Sequence, residues 1–376
     1  MNIVFVTNYY NHHQAAMAHY MDIQTKHRFT FIETEPMSTE RRNMGWSNDN
    51  APSYVRRAYV SKREWSECQQ LIKDADAVIW GSCPFSMIRP RLKEKKLTFC
   101  YSERLFKKGF GFIAFGSRAV KYWLKHWRYQ KNHYLLCASA YAADDYAMLG
   151  LFRNRAYKWG YFPECEEKRG LEEIVSQKKP SSILWAGRML ALKHPEIALQ
   201  IAHRLKQADI PFEMNIIGDG ECFEYIQASC KELDLEEQVH LLGTKSPEQV
   251  RRHMEMSDIY LFTSDYNEGW GAVINEAMSS ACAVVASDAA GSVRYLINDE
   301  YNGMSYQNGQ LDEMYQKVAM LLRNRDKCLQ YGRNAFDTVN NEWSAEMAVA
   351  RFCALADMLR EGNAIQWEAG PCSKAK

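Results

Sequence analysis

The feature that most restricts this chain is a rhythm of short, largely apolar runs, each ending in glycine or polar residues and separated from the next by a long stretch. The runs are Ile3–Val6, Phe29–Ile32, Ala77–Trp80, Leu97–Tyr101 and Tyr134–Ala138, then Ile183–Ala186, Glu213–Ile217, Val239–Leu242, Ile259–Phe262 and Ala283–Ala286. Runs this short without apolar–polar alternation belong to strands buried on both faces, as in a parallel sheet. The intervening stretches are long enough for crossover helices, expected at about Gln14–His27 and Glu196–Gln207. The expected class is therefore α/β and doubly wound. At 376 residues the chain exceeds what one core usually serves, so two such domains are expected.

The rhythm breaks once. Between Phe162 and Ser181 the chain reads ECEEKRGLEEIVSQKKP, charged and without apolar periodicity. This predicts a first domain over residues 1–163, a linker over 164–180 with room for one short surface helix, and a second domain over 181–342. An amphipathic helix at Trp343–Leu359, within 343–370, is expected to rejoin the first domain. The 47 Lys and Arg against 46 Asp and Glu leave a net charge of +1, which excludes a global nucleic-acid footprint. Eleven cysteines form no Cys-x-x-Cys pair, which points to reduced thiols and a cytoplasmic setting. The opening MNIVFVTNYY reads as a strand rather than a signal peptide, and no apolar run approaches the ~20 residues of a spanning helix.

Chemistry concentrates in the second half. Tyr266-Asn267-Glu268-Gly269-Trp270-Gly271-Ala272-Val273-Ile274-Asn275-Glu276 sets two carboxylates around a Gly-x-Gly turn between a strand and a helix. Such a turn lets backbone N–H groups face a sugar or an anion, and an ionised carboxylate at Glu276 accepts from two ribose hydroxyls. Upstream, a strand runs into Gly187-Arg188, with Lys193 beyond: a planar fork and a compact cation, both suited to a diphosphate. Two further strands end in Gly218-Asp219-Gly220 and Gly243-Thr244. Paired carboxylates beside a sugar also describe glycosidases, which need no diphosphate-binding cations.

This ordered set resembles the donor domain of the retaining glycosyltransferases of family 4, over about residues 180–345. The resemblance implies a GT-B fold, two Rossmann-like doubly wound domains facing a central cleft. It implies that Glu268 meets the transferred sugar, Glu276 the ribose, and Arg188 and Lys193 the diphosphate. Gly187 and Gly218 would belong to the same donor site, residues after Gly243 such as Thr244 would line the base pocket, and the backbone of Gly269, Trp270 and Gly271 would reach sugar or phosphate. The co-substrate implied is a nucleotide sugar, a UDP-sugar ahead of a GDP-sugar, with no tightly bound cofactor and no essential metal. Other enzymes of this fold, such as a phosphorylase or a nucleotide-sugar epimerase, and a non-catalytic scaffold are the competing readings.

The first half departs from that family. A polar, aromatic loop, Thr7 to Gln14, replaces the usual glycine pair, and Ser102-Glu103-Arg104 stands where a histidine is common. Glu103, then His13, are the candidates for acceptor contact or proton handling, with an ion pair to Arg104 or a nearby lysine the alternative for Glu103. Asp74-Ala75-Asp76 precedes a strand instead of ending one, so it reads as a solvated turn and not a metal site. Residues 104–134 hold eight Lys or Arg, nine aromatics and no acid. That bias predicts peripheral attachment to the anionic inner face of a membrane, where a glycan or lipid-linked acceptor would lie.

Overall fold

The computed structural model describes residues 1–24, 26–43, 47–107, 112–163, 169–363 and 367–375. The chain divides into unit 1, Met1–Glu164 with Ser344–Lys376, and unit 2, Cys165–Trp343.

In unit 1 the strands are β1 (Asn2–Thr7), β2 (Arg28–Glu33), β3 (Val55–Arg57), β4 (Ala77–Trp80), β5 (Thr98–Ser102), β6 (His133–Cys137) and β7 (Ala156–Lys158). They form a parallel sheet in the order β3-β2-β1-β4-β5-β6-β7. After its first residue β1 is fully buried, as both faces of the sheet are covered. The order reverses between β1 and β4, the position where α/β sheets open a crevice at their strand ends. Ile72, Met87, Ile88 and Leu92 bring two helices, Lys62–Asp74 and Phe85–Lys93, onto the core that includes Val4, Val6, Val78 and Trp80. The first of these helices starts where Ser61 accepts from the Glu64 N–H, a side-chain N-cap. The helix Ala345–Glu361 supplies Phe352, packed edge-on against Phe99 of β5 and near Trp159. Beyond it, Cys372 to Ala375 pairs with β7, an antiparallel addition that covers a sheet edge.

Unit 2 contains β8 (Lys179–Ala186), β9 (Glu213–Ile217), β10 (Val239–Leu241), β11 (Ser257–Phe262), β12 (Ala283–Ser287) and β13 (Gly303–Tyr306). All pairs are parallel, in the order β10-β9-β8-β11-β12-β13, with the reversal between β8 and β11. Every residue of β11 and β12 is buried.

Three expectations need correction. The linker stretch holds its one short helix at Leu171–Ser176, but that helix buries Ile174 within unit 2, and β8 begins at Lys179, ahead of the expected Ile183. Lys178 explains the error, because its ammonium is buried and donates to the carbonyls of Met254 (3.1 Å), Ser257 (2.6 Å) and Ser280 (2.8 Å). A charge that composition assigns to solvent is here held by carbonyl dipoles. Asp76 is no merely solvated turn residue, since it accepts from the Asn2 N–H (2.8 Å) and pairs with Arg360 (3.2 Å). Finally, the first helix spans His12–Ile23, starting earlier than expected because Asn11 caps it through the His13 N–H.

Candidate functional site

Three turns at the carboxyl ends of β8, β9 and β10 are stitched together by their backbones. Gly187 N–H donates to Ile217 (3.0 Å), Gly218 N–H to Gly243 (2.9 Å) and Met189 N–H to Asp219 (2.8 Å). Gly218 is what allows this approach. Its φ is +138°, and a Cβ there would sit 1.8 Å from the Gly187 carbonyl oxygen. Gly218 therefore shapes the site by holding Gly187 and Gly243 together. Thr244 follows, exposed.

Beyond the first turn, Arg188 is exposed and has no side-chain hydrogen-bond or ion-pair partner among the described residues. Lys193 differs: its ammonium is ion-paired with Glu268. The pair is held from both sides. Thr263, just after β11, donates to the Lys193 carbonyl (2.5 Å) and accepts from the Trp185 indole (2.8 Å), while the Asp265 N–H donates to Leu192 (3.0 Å). His194 follows in the left-handed region at φ 49° and lies 3.4 Å from Asp265 and 2.7 Å from Glu196. Asp265 also accepts from the Asn267 N–H (2.8 Å) and, through its carbonyl, from the Glu268 N–H (3.0 Å), so it forms the turn that presents Glu268.

The Gly269–Gly271 segment is fixed by its carbonyls, with Gly291 N–H donating to Gly269 (3.0 Å) and Ser292 N–H to Trp270 (3.1 Å). Trp270 offers its side chain to the interior: it is 1% exposed and its indole donates to Asn275 (2.8 Å). Gly271, at φ +84°, lies against the Phe262 ring, where a Cβ would come within 3.0 Å. Glu276 sits in the short helix Val273–Met278. Burial pushes its carboxyl up to about 7, against the opposing pull of Arg251, whose guanidinium is engaged by Ser279 and the Glu276 carbonyl.

Tyr260 of β11 was not singled out from sequence. It is buried, donates to the Ala186 carbonyl (2.7 Å) at the end of β8, and has its hydroxyl pKa raised by burial and by the charges of Glu276 and Glu268. One side chain thus reports that the β8 end and both carboxylates converge. A polar-tipped aromatic within an apolar strand was the available signal.

In unit 1, Glu103 and His13 meet on a residue that the sequence reading also passed over. Tyr161 donates to Glu103 (2.5 Å), and its ring stacks on His13 at 5.2 Å and 13°. Glu103 is also paired with Lys107, the nearby lysine of the ion-pair alternative, whereas Arg104 lies 3.7 Å from Asp145 and 4.7 Å over the Tyr141 ring. The His13 imidazole is pushed down to about 3 by burial and by the nearby His12 and Arg41, so it stays neutral near pH 7.

Residues 168–338, nearly all of unit 2, match the model of the glycosyl transferases group 1. Unit 2 is thus the part of the chain that is similar to the glycosyl transferases group 1. Over 169 residues this domain region is 27% identical to the poly(ribitol-phosphate) alpha-N-acetylglucosaminyltransferase of Staphylococcus aureus, covering 45% of this chain and 34% of that one. Over 171 residues it is 29% identical to a Campylobacter jejuni 4-alpha-N-acetylgalactosaminyltransferase acting on a diphospho-undecaprenol glycan, covering 46% of this chain and 44% of the relative. These alignments span less than half the length of either curated relative. Among solved structures, Anabaena HepE in complex with UDP matches at a TM-score of 0.67 and 13% identity, over 94% of this chain and 100% of that one. The lipopolysaccharide outer core galactosyltransferase WaaB matches at 0.62 and 17% identity, over 91% and 98%. At such identities the likeness establishes the fold, which is GT-B: two parallel-sheet, Rossmann-like domains.

Proposed function

We propose that the chain is a retaining glycosyltransferase that moves a sugar from a nucleotide-diphosphate sugar, a UDP-sugar first of all, to a cell-surface polysaccharide or lipid-linked glycan. The observation that carries this reading is the Lys193–Glu268 pair, set between an exposed Arg188 and a half-buried Glu276 in a region that matches the glycosyl transferases group 1. Relatives named for acting on teichoic acid and on undecaprenol-linked glycan, and the UDP held by the Anabaena neighbour, support the donor and acceptor classes. In this reading residues 181–342 form the donor side and residues 1–163 the acceptor side, in a cytoplasmic protein.

The roles follow from the chemistry. Arg188 supplies a two-pronged donor to the diphosphate. Lys193, bound to Glu268 before the donor arrives, bridges that carboxylate and the phosphate afterwards. Glu268 then accepts from sugar hydroxyls and Glu276 from the ribose. As the bond between the anomeric carbon and the phosphate oxygen breaks, negative charge gathers on the diphosphate, where one well-placed donor is worth about 3–4 kcal/mol of transition-state stabilisation. The acceptor oxygen attacks from the same face, and its proton passes to the departing phosphate oxygen. Configuration is retained without an enzyme nucleophile or a metal. Glu103, held by Tyr161 and Lys107, and His13 are placed to orient the acceptor hydroxyl.

The test is calorimetric titration of the purified chain with UDP and with GDP, repeated with Glu276→Ala. UDP is expected to bind, with affinity reduced at least ~tenfold in the variant, the loss of one or two hydrogen bonds to a charged group. Binding of neither nucleotide would leave a non-catalytic scaffold as the better reading.

A further inference from the structure

The helix Phe112–His126 and the turn Trp127–Tyr129 that continues it point three of their cationic or imidazole side chains, Arg118, Lys125 and His126, toward the body of unit 1. Lys125 lies with its Nζ 4.4 Å above the Trp80 ring, and His126 is 1% exposed, stacked between Trp80 (5.6 Å) and His133 (5.3 Å). Arg118 donates to the Leu105 carbonyl at 3.0 Å.

The outward side is the apolar one. Val120, Trp123, Leu124 and Trp127 follow the i, i+3, i+4, i+7 spacing of a single helical stripe and are 58%, 41%, 57% and 37% exposed. Trp123 and Trp127 stack at 4.7 Å with their planes 6° apart, giving one flat surface already formed. Lys121, Arg128 and Lys131 flank it, all exposed, with the Arg128 guanidinium 4.9 Å over the Trp127 ring. A helix that only closed a core would expose Lys125 and bury the tryptophans. This one does the reverse.

We propose that the Val120–Trp123–Leu124–Trp127 stripe docks on an anionic lipid surface, with the indoles at the headgroup boundary and Lys121, Arg128 and Lys131 on the headgroups. Charge decides between the possible occupants. No acid occurs from Arg104 to Tyr134, so a second copy would bring an identical cationic rim against this one, whereas anionic lipid complements the rim. No helix among the described residues is long and apolar enough to cross a membrane, so the contact lies in the interface plane. Lys125, which composition alone groups with the membrane-facing cations, is withdrawn under the helix and takes no part. Residues 108–111 of the basic segment lie outside the described residues.

The inference rests on this helix alone and not on the sugar-transfer reading. The test is co-sedimentation of the full chain with phosphatidylcholine vesicles, with and without about 30% phosphatidylglycerol, the anionic fraction supplying the surface potential. Binding is expected to the anionic vesicles, at least ~tenfold weaker to the neutral ones. The variants W123S/W127S and K121E/R128E/K131E should each reduce it by ~tenfold or more. Far-UV melting and UDP titration of both variants, unchanged from the parent chain, show that the fold and the donor site survive. Vesicle binding indifferent to lipid charge, or unaltered in both variants, overturns the proposal. So does a dimer in sedimentation velocity that W123S/W127S abolishes, which would put a second copy on the stripe. Loss of UDP binding by the parent chain counts against sugar transfer and leaves this inference standing.

Discussion

Burial holds the Glu276 carboxyl up to about 7, and a pair of ribose hydroxyls donates more strongly to its ionised form, which offers two acceptor oxygens and no donor. Nucleotide binding should therefore release a proton, and UDP affinity should rise as pH climbs through about 7. A slope of up to ~tenfold per pH unit is the limit for one proton. Calorimetry in buffers of differing ionisation enthalpy measures the proton directly, and Glu276→Gln should flatten the profile. The same shift acts on stability with the opposite sense. A carboxyl raised from its ordinary value of 4.5 contributes stability below that value and loses it as pH rises through about 7. Gly218→Ala has a different expectation. With a Cβ 1.8 Å from the Gly187 oxygen, the stitched turns must separate, costing about 3 kcal/mol or more in denaturant unfolding along with UDP affinity.

Among the described residues, each unit has a buried cation that serves the ends of its helices. In unit 1 it is Arg91, which donates to the carbonyls of Ile72 (2.9 Å), Ala75 (2.6 Å) and Leu97 (2.7 Å) and to the Thr98 hydroxyl (3.1 Å). In unit 2 it is Lys178, collecting carbonyls after the helices Pro247–Met256 and Val273–Met278. Helix carboxyl termini leave carbonyls without intrahelical partners and carry partial negative charge, so a cation placed there meets both needs. Arg91→Met and Lys178→Met keep much of the volume but leave several buried carbonyls unpaired. Each should cost about 2–4 kcal/mol by urea unfolding, since one such group costs ~1–3. The helix Phe112–His126 is docked through groups that acid should disturb. His126 and His133 are buried with pKa values pushed down by burial, His133 to about 3, and Lys125 lies beside them. A depressed folded-state value gives stability that is present above the unfolded value and lost as pH falls below it. Melting monitored through unit 1 should thus weaken from about pH 7.5 to about pH 5, and less so in His133→Gln.

Unit 1 is assembled from both ends of the chain, because Ser344–Lys376 returns to it after unit 2 is complete. Phe352 lies fully buried beside Phe99, and the segment Cys372 to Ala375 covers the edge strand β7. Truncation before Ser344 should consequently expose the unit 1 core and yield insoluble chain, although residues 1–343 contain every strand. Unit 2, with its own core around Ile183, Ile216, Ile259 and Val285, is closed by local sequence. Saturating UDP should slow amide exchange there, by about 2.7 kcal/mol at a hundredfold excess over Kd, while exchange at Val4, Val6 and Val78 in unit 1 stays unchanged.

The central strands were legible because burial on both faces favours apolar runs; β1, β4, β11 and β12 stand where apolar and β-branched residues cluster, while β9 keeps polar Glu213 and Asn215 beside its buried Met and Ile residues. The edge strands β3, β7 and β13 were not, since at an edge so short a segment needs no such run. The glycine turns and the Glu268–Glu276 spacing were legible for a similar reason: backbone crowding and paired acceptors restrict the residue types that serve. Which charges turn inward was a tertiary decision. Lys178, Arg91 and Lys125 are written like any solvated cation, and only the carbonyls and the ring that the fold brings to them make burial tolerable. The convergence of Tyr260 on both carboxylates, and of Glu103 and His13 on Tyr161, likewise joins residues far apart in sequence. Local composition fixes what a segment can become; contacts between distant segments decide which of its polar groups find partners.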